Sequence, residues 1–146
     1  MDDNIPAVLI VDDQPKLARL VRELFLRLGF HDVDTVGSGP EALDAMKLKR
    51  YGLMLVDLEL EPVDGIQILR QVRATKEFAD VGFILTEATV TFENVSAAHF
   101  AGVDAFLLKP YDLPLLKSKL KTVLRKAGRR QRYDPNLTIL DQENVA

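Results

Sequence analysis

The sequence predicts a single α/β domain built on a parallel sheet of five strands, with helices on both faces. Two short runs of the chain, Ala7–Val11 and Leu53–Val56, are wholly apolar, which is typical of strands buried on both faces of a sheet. Five strand-like segments alternate with five helical patterns along the 146 residues, and strands separated by helices pair in parallel. We therefore predict a doubly wound sheet with the strand order 2-1-3-4-5.

The first helix begins at Pro15, a residue suited to the first turn of a helix, and ends near Gly29. Residues 32–36 have mixed polarity, so we predict that the second strand lies at an edge of the sheet. Apolar residues recur at helical spacing along the first helix and form one stripe, which consists of Leu17, Leu20, Val21, Leu24, Phe25 and Leu28.

The second helix is predicted to begin at Ser38, because Ser38 and Glu41 have the spacing of a capping box. The third strand follows it and ends on Asp57. Asp64 then caps the third helix, which runs through Val72. The inward-facing residues of the second helix are Ala42, Leu43 and Met46.

The fourth strand, Val81–Leu85, ends on Thr86. The fourth helix is predicted at residues 93–101, and Gly102 closes it. Its inner face is thin, because small residues occupy most of the inward positions. We therefore expect the rest of the domain to hold this helix weakly. The inward positions are Val95, Ala98 and Ala101.

The fifth strand, Ala105–Leu108, ends on Lys109, and Asp112 caps the fifth helix. Composition changes after about Gly128, so we predict a folded domain over residues 1–128 and a tail or linker over 129–146. The core of the fifth helix is Leu116, Leu120, Val123 and Leu124. The tail residues that we expect to pack against this domain or against a second copy of it are Tyr133, Leu137, Ile139 and Leu140.

Composition and charge exclude several classes of protein. The formal net charge of -3 gives no general attraction to nucleic acid or to an anionic membrane. No apolar run approaches the roughly 18 residues of a membrane span, and the first residues are acidic where a secretory signal is basic. The chain has no cysteine and thus no disulfide or cysteine nucleophile. We predict a cytoplasmic protein without a direct nucleic-acid or membrane partner.

The fifth helix carries a long run of basic residues with no acid among them. Lys117, Lys121 and Arg125 recur at helical spacing and share one side of the helix. Such a row is either a solvated face or a surface for a partner, and the sequence leaves both open.

Acidic residues end two neighbouring strands of the predicted sheet. Asp12 and Asp13 follow the first strand and Asp57 ends the third, so the strand order brings all three to the reversal point where ligands bind. Two carboxylates about 4 Å apart repel by roughly 4 kcal/mol at an effective dielectric near 20. A divalent cation relieves this repulsion, and oxygen ligands in a wet site suit Mg²⁺. Thr86 and Lys109, at the next strand ends, add groups that stabilise a phosphoryl group on a carboxylate.

With these five groups in this order, the chain resembles a response-regulator receiver domain, similar to the single-domain chemotaxis regulators. The resemblance runs from about Ala7 to Ala127 and includes the dipeptides Asp64-Gly65 and Lys109-Pro110. It implies a flavodoxin-like (βα)5 fold and a switch that takes a phosphoryl group from a histidine kinase or a phosphotransfer protein.

The resemblance also implies a role for each site residue. Asp57 becomes the phosphoacceptor. Asp13 and Asp57 become direct Mg²⁺ ligands, Asp12 acts through water, and the backbone carbonyl of Glu59 completes the ligands from the protein. Thr86 and Lys109 contact the phosphoryl oxygens. Thr86 and Phe106 become the switch pair, with a downstream protein target on helix four, strand five and helix five.

Two positions depart from the family pattern. Glu87 follows Thr86 where the family usually has a small residue, and Pro62 comes one position later than usual, after Glu61. We expect Glu87 to lie at the mouth of the site, where it would repel an incoming anion. A receiver that binds proteins without being phosphorylated therefore stays open as an alternative.

Two other classes fit the sequence less well. A phosphatase with an aspartate nucleophile needs a second acid two positions after the nucleophile, whereas Gln14 and Pro15 follow the adjacent aspartates here. A flavin carrier needs a loop rich in Ser, Thr and Gly after the first strand, and this chain has none. The leading hypothesis is a switch with no substrate of its own, and thus not an enzyme.

Overall fold

The computed structural model describes residues 5–131. Within this range all strands pair in parallel, in the order β2-β1-β3-β4-β5, so the predicted fold class is confirmed. The strands are β1 Val8–Val11, β2 Val33–Val36, β3 Leu53–Asp57, β4 Gly82–Glu87 and β5 Ala105–Leu108. The helices are α1 Pro15–Arg27, α2 Gly39–Leu48, α3 Gly65–Ala74, α4 Phe92–Ala101 and α5 Leu113–Gln131.

The sheet separates two apolar cores. Alternate residues of each strand face opposite sides, so Ile10 and Leu55 pack with α1 and α5, whereas Val11 and Val56 pack with α2 and α3. Burial on both sides explains why β1 and β3 are apolar without alternation. The predicted edge position of β2 is also confirmed.

Capping residues start three of the helices as predicted. Asp64 and Gln67 form a complete capping box at α3, and Asp112 accepts a hydrogen bond from the N–H of Leu115 (3.0 Å). At α2 the Ser38 hydroxyl accepts from the N–H of Glu41, but the Glu41 carboxylate accepts from Gly37, one residue before the cap. The capping box predicted for α2 is therefore incomplete, because the Glu41 carboxylate bonds the N–H of the residue before the N-cap and not the N–H of Ser38 itself.

Two apolar residues predicted to face the core are exposed instead. Leu20 on α1 is 65% exposed, and Val95 on α4 is 41% exposed. On α4 only Ala98 is buried, while Phe92 and Phe100 project into solvent. The inner face of α4 thus buries less apolar area than predicted, and its outer face carries exposed apolar residues among polar ones.

Helix α5 continues past Gly128, the predicted end of the domain, to Gln131. The Arg130 guanidinium donates to both carboxylate oxygens of buried Asp104, at 3.0 and 2.7 Å. Asp104 also accepts from Arg73 of α3 and from the N–H of Phe83 at the start of β4. This cluster fastens the last turn of α5 to α3 and to the sheet.

The packing predicted for Tyr133, Leu137, Ile139 and Leu140 falls outside the described residues, and the domain boundary stays a prediction. Among the helices of residues 5–131, none combines the length and the apolar character that crossing a membrane requires.

Candidate functional site

Three carboxylates meet at the carboxyl ends of β1 and β3. The register pairs Val11 with Val56, so the next residues along the two strands, Asp12 and Asp57, are neighbours. Asp12, Asp13 and Asp57 each offer an oxygen, and these oxygens all lie within 4.8 Å of one another. Asp12 and Asp57 are buried, whereas Asp13 is exposed. The structure thus brings together the three acids that the sequence predicted to form one cluster.

Lys109, directly after β5, supplies the cation of the site. Its Nζ lies 3.2 Å from Oδ1 of Asp57 and 4.0 Å from Oδ2 of Asp12. The backbone fixes this position, because the N–H of Lys109 donates to the carbonyl of Glu87 at the end of β4 (2.9 Å). One ammonium therefore faces two buried carboxylates, and the cluster keeps a net negative charge.

The pKa of Asp57 is raised above its ordinary value, chiefly because burial disfavours the charged carboxylate. Asp12 and Asp13 raise the pKa further, while the Lys109 ammonium lowers it. A second positive charge at this point would stabilise the ionised form of Asp57. The electrostatics of the cluster therefore favour a bound cation.

Thr86 is buried beside Asp57, and the two residues are partners in the β3–β4 register. Both line a cavity of about 510 Å³ beneath α1, together with Asp12 and Lys109. The carbonyl of Thr86 accepts from the N–H of Leu58, which fixes the backbone directly after β3 (2.9 Å). The threonine hydroxyl is thereby held on the same side of the sheet as the Asp57 carboxylate.

Gly65 allows α3 to start directly behind Asp57. A Cβ at this position would lie 2.7 Å from the carbonyl oxygen of Asp57 and 2.9 Å from Cα of Leu58, which is closer than real contacts allow. The N–H of Gly65 donates to the carbonyl of Leu58 (2.9 Å). The Asp64-Gly65 pair noted in the sequence thus combines a helix cap with a close backbone approach.

Two predicted site residues do not line the cavity that contains Asp12 and Asp57. Glu59 is exposed on the loop after β3, and its side chain lines a separate cavity beside α4. Phe106 is half-buried in the core on the α3 and α4 side, whereas Thr86 lines the cavity on the α1 side. The metal role of Glu59 and the switch role of Phe106 stay predictions.

Glu87 does not lie exposed at the mouth of the site, so that expectation is wrong. Strand β4 continues through Glu87, and the side chain is only 4% exposed. Its Oε1 accepts from the N–H of Ala88 (2.7 Å), and it lines the cavity that also contains Glu59 and Asp64. Strand alternation explains the difference, because it turns residue 87 to the face opposite Thr86.

The sequence did not identify the residues beside Asp57 on the α1 side as part of the site. Tyr111 and the leucines of α1 line the same cavity as Asp57. Burial raises the pKa of the Tyr111 hydroxyl, and the charges of Asp12 and Asp57 raise it further. Following the chain two residues beyond Lys109 would have identified Tyr111, since the strand end already marked that loop. The leucines that line this cavity are Leu17, Leu20, Leu24 and Leu55.

Comparison with known families decides what this arrangement belongs to. A family model described as the response regulator receiver domain matches residues 8–121, which include every strand and the cluster of acids. The chain belongs to the response regulator receiver domain family. The family resemblance read from the sequence is therefore confirmed. Receiver domains of this family are generally switches rather than enzymes, and they typically bind Mg²⁺.

This receiver domain is similar to longer curated relatives. It is 32% identical over 136 residues to "Response regulator ArlR" of Staphylococcus epidermidis and 30% identical over 136 residues to the protein of the same name in Staphylococcus saprophyticus. Each alignment covers 93% of this chain and 60% of the relative. The chain thus spans about 60% of the length of these relatives.

Solved structures agree on the fold. A sensor protein from Polaromonas sp. JS666 superposes with a TM-score of 0.75 at 30% identity, over 85% of this receiver domain and 97% of that chain. The chemotaxis protein CheY4 of Vibrio cholerae gives a TM-score of 0.77 over 82% of this chain and 98% of that one. At 22% identity, the second comparison supports the fold alone.

We predict that Glu87→Gln stabilises the receiver domain at neutral pH. Burial is the main cause that raises the pKa of Glu87, so its charged form costs the folded state free energy. Stability is therefore lost as pH rises through the folded-state pKa, and the neutral amide avoids that loss. We expect a melting temperature higher by about 3 °C at pH 7, equivalent to about 1 kcal/mol, and no difference at low pH.

The control for this measurement is Glu77→Gln, which neutralises an exposed carboxylate and should leave the melting temperature unchanged. Thermal unfolding by circular dichroism across the acidic range provides the readout. A Glu87→Gln variant that is less stable than wild type at pH 7 would contradict this assignment.

Proposed function

We propose that this receiver domain is a phosphorylation-controlled signalling switch that accepts a phosphoryl group on Asp57 from a histidine kinase or a phosphotransfer protein. One observation carries the proposal: a buried carboxylate lies beside two further acids and 3.2 Å from a lysine ammonium. This arrangement supplies a nucleophile and groups that neutralise a transferred phosphoryl group. Family membership supports the same conclusion at the level of two-component signalling.

The proposed transfer is a displacement at phosphorus. A carboxylate oxygen of Asp57 attacks the phosphorus atom of a phosphohistidine, an O–P bond forms, and the P–N bond breaks. The imidazole leaves with the bonding electrons and can take a proton from water. The Lys109 ammonium lies where it can neutralise a phosphoryl oxygen on Asp57, and the Thr86 hydroxyl can donate to another.

Mg²⁺ fits the donors of this site. All three side chains are carboxylates, which suits a hard cation, and their oxygens converge within 4.8 Å. We propose that Asp13 and Asp57 bind the ion directly, that Asp12 acts through water and that the Glu59 carbonyl adds a ligand. When bound, the ion supplies positive charge that neutralises the transferred phosphoryl group.

The same chemistry gives the domain a role in its own dephosphorylation, but it has no independent substrate. We therefore propose a non-enzymatic role, and the histidine-kinase partner favours the cytoplasm as its location. A second candidate is a receiver that binds proteins without phosphorylation. Glu87 favours it, because this acid follows Thr86 where the family usually has a small residue, and its buried carboxylate lies close enough to Asp57 for the charge of Asp57 to raise its pKa.

We propose that output passes through the face formed by α4, β5 and α5. Helix α4 buries only Ala98, so little apolar contact holds it in place. A phosphoryl group on Asp57 offers Thr86 a new partner, and a rearrangement of Phe106 would alter the neighbouring surface. The exposed apolar residues of this face suit a downstream protein or a second copy of the domain, and they include Phe92, Val95, Leu108 and Leu115.

We predict that Asp57→Asn abolishes phosphoryl uptake and leaves the fold intact. The amide is nearly isosteric, and it removes the only proposed nucleophile. The measurement is intact mass after incubation with acetyl phosphate and Mg²⁺, with Glu59→Gln as a control that keeps its backbone carbonyl. Wild-type protein and Glu59→Gln should each gain one phosphoryl group. Equal uptake by Asp57→Asn would move the acceptor elsewhere.

We also predict that Mg²⁺ raises the melting temperature of the wild type, because only the folded chain brings the three acids together. Asp13→Ala should lose most of that increase, since it removes a proposed direct ligand. The control Asp44→Ala removes an exposed carboxylate on α2, so it should keep the full response. Thermal unfolding with Mg²⁺ and with a chelator decides the point. An unchanged response in Asp13→Ala would overturn the assignment.

A further inference from the structure

The charge of this receiver domain is concentrated on one helix. Helix α5 contains seven basic residues and no acidic one, although the whole chain has a formal net charge of -3. The rest of the chain therefore carries the excess of negative charge. So strong a local positive potential on an acidic protein selects the partners that can approach this face.

Contacts within the domain divide the basic residues of α5 between two flanks. Lys126 and Arg130 turn toward the start of β5, where they donate to the backbone carbonyl and the carboxylate of Asp104. Lys121 and Arg125 stand about 100° or more around the helix from this pair, so they lie away from the face formed by α4 and β5. The row of Lys117, Lys121 and Arg125 thus lies on a different side of α5 from the proposed output face.

This second side of α5 forms a shallow surface that presents several cations. Lys121 and Arg125 are exposed, and no carboxylate within residues 5–131 forms an ion pair with either. The residues that line a depression of about 390 Å³ on α5 are Pro114, Lys117, Ser118, Lys121, Thr122 and Arg125.

We propose that the Lys117–Lys121–Arg125 row of α5 binds an acidic segment of a partner protein. The three cations repeat every four residues, or about every 6 Å, which matches carboxylates at the same interval on a partner helix. Their charge is confined to two turns of helix, so the surface fits a short acidic segment. A nucleic-acid partner fits less well, because domains that bind nucleic acid commonly have a pI above about 9, whereas this chain has a pI near 5.4.

The surface does not depend on phosphorylation of Asp57. The cations are on α5 in the unphosphorylated chain, and none of them lines the cavity that contains the acceptor. Binding of an acidic segment can therefore be measured without a phosphoryl donor. A failure of phosphoryl transfer to Asp57 would leave this proposal untouched.

The test uses the full chain, unphosphorylated, with a short polyglutamate peptide as the probe. Two-dimensional NMR titration should show the largest amide shifts at residues 114–129, and added salt should weaken binding, since exposed charges are screened. The double variant Lys121→Glu with Arg125→Glu should lose at least about tenfold in affinity. The matched control, Arg70→Glu with Lys76→Glu, makes the same change of charge at exposed positions on and just after α3 and should change affinity by less than about threefold.

Three outcomes would overturn the proposal. The first is an equal loss of affinity in the two double variants, which would mean that only net charge matters. The second is amide shifts centred away from α5, or no binding at low salt. The third is tighter binding of a short single-stranded DNA oligonucleotide than of the peptide at the same salt concentration, which would assign the surface to nucleic acid.

Discussion

The crowding of three carboxylates at the carboxyl ends of β1 and β3 is the constraint on which the rest of this site depends. Their oxygens lie within 4.8 Å of one another, while two of the three side chains are buried. Each pair at that distance repels by roughly 3 kcal/mol at an effective dielectric near 20. Lys109 offsets part of this cost from β5, and the residual negative charge makes the site receptive to a cation.

The same parallel sheet that creates this crowding made most of the site predictable from the sequence. Asp57 could be placed beside Asp12 because both follow apolar runs that only a buried strand explains. Glu87 could not be placed, because the sequence does not reveal that β4 continues past Thr86, and one added strand residue turns a side chain to the other face. The prediction that Leu20 faces the core was wrong for a related reason. Helical spacing identifies an apolar stripe, but packing decides how much of that stripe the core covers.

Helix α5 contacts both the core on the α1 side and the start of β5. Its inner residues complete the core on the α1 side, and Arg130 ties its last turn to Asp104, two residues before Phe106. Strand β5, which contains Phe106, is therefore held at its start by an ion cluster and leads at its end to Lys109 in the site. Helix α4 buries only Ala98, so little apolar contact holds it in place. A change near Thr86 should therefore shift this helix more easily than its neighbours. The basic row of α5 lies outside this region and offers a separate surface.

The central claim is that a phosphoryl group on Asp57 redistributes stability across β4, α4 and β5. Hydrogen exchange followed by mass spectrometry, with and without beryllofluoride and Mg²⁺, tests it most directly, since beryllofluoride stands in for the phosphoryl group on a carboxylate. We expect altered protection throughout residues 86–111 in the wild type and none in Asp57→Asn. Changes confined to the segments around Asp12, Asp13 and Asp57, with α4 and β5 unaffected, would contradict the account.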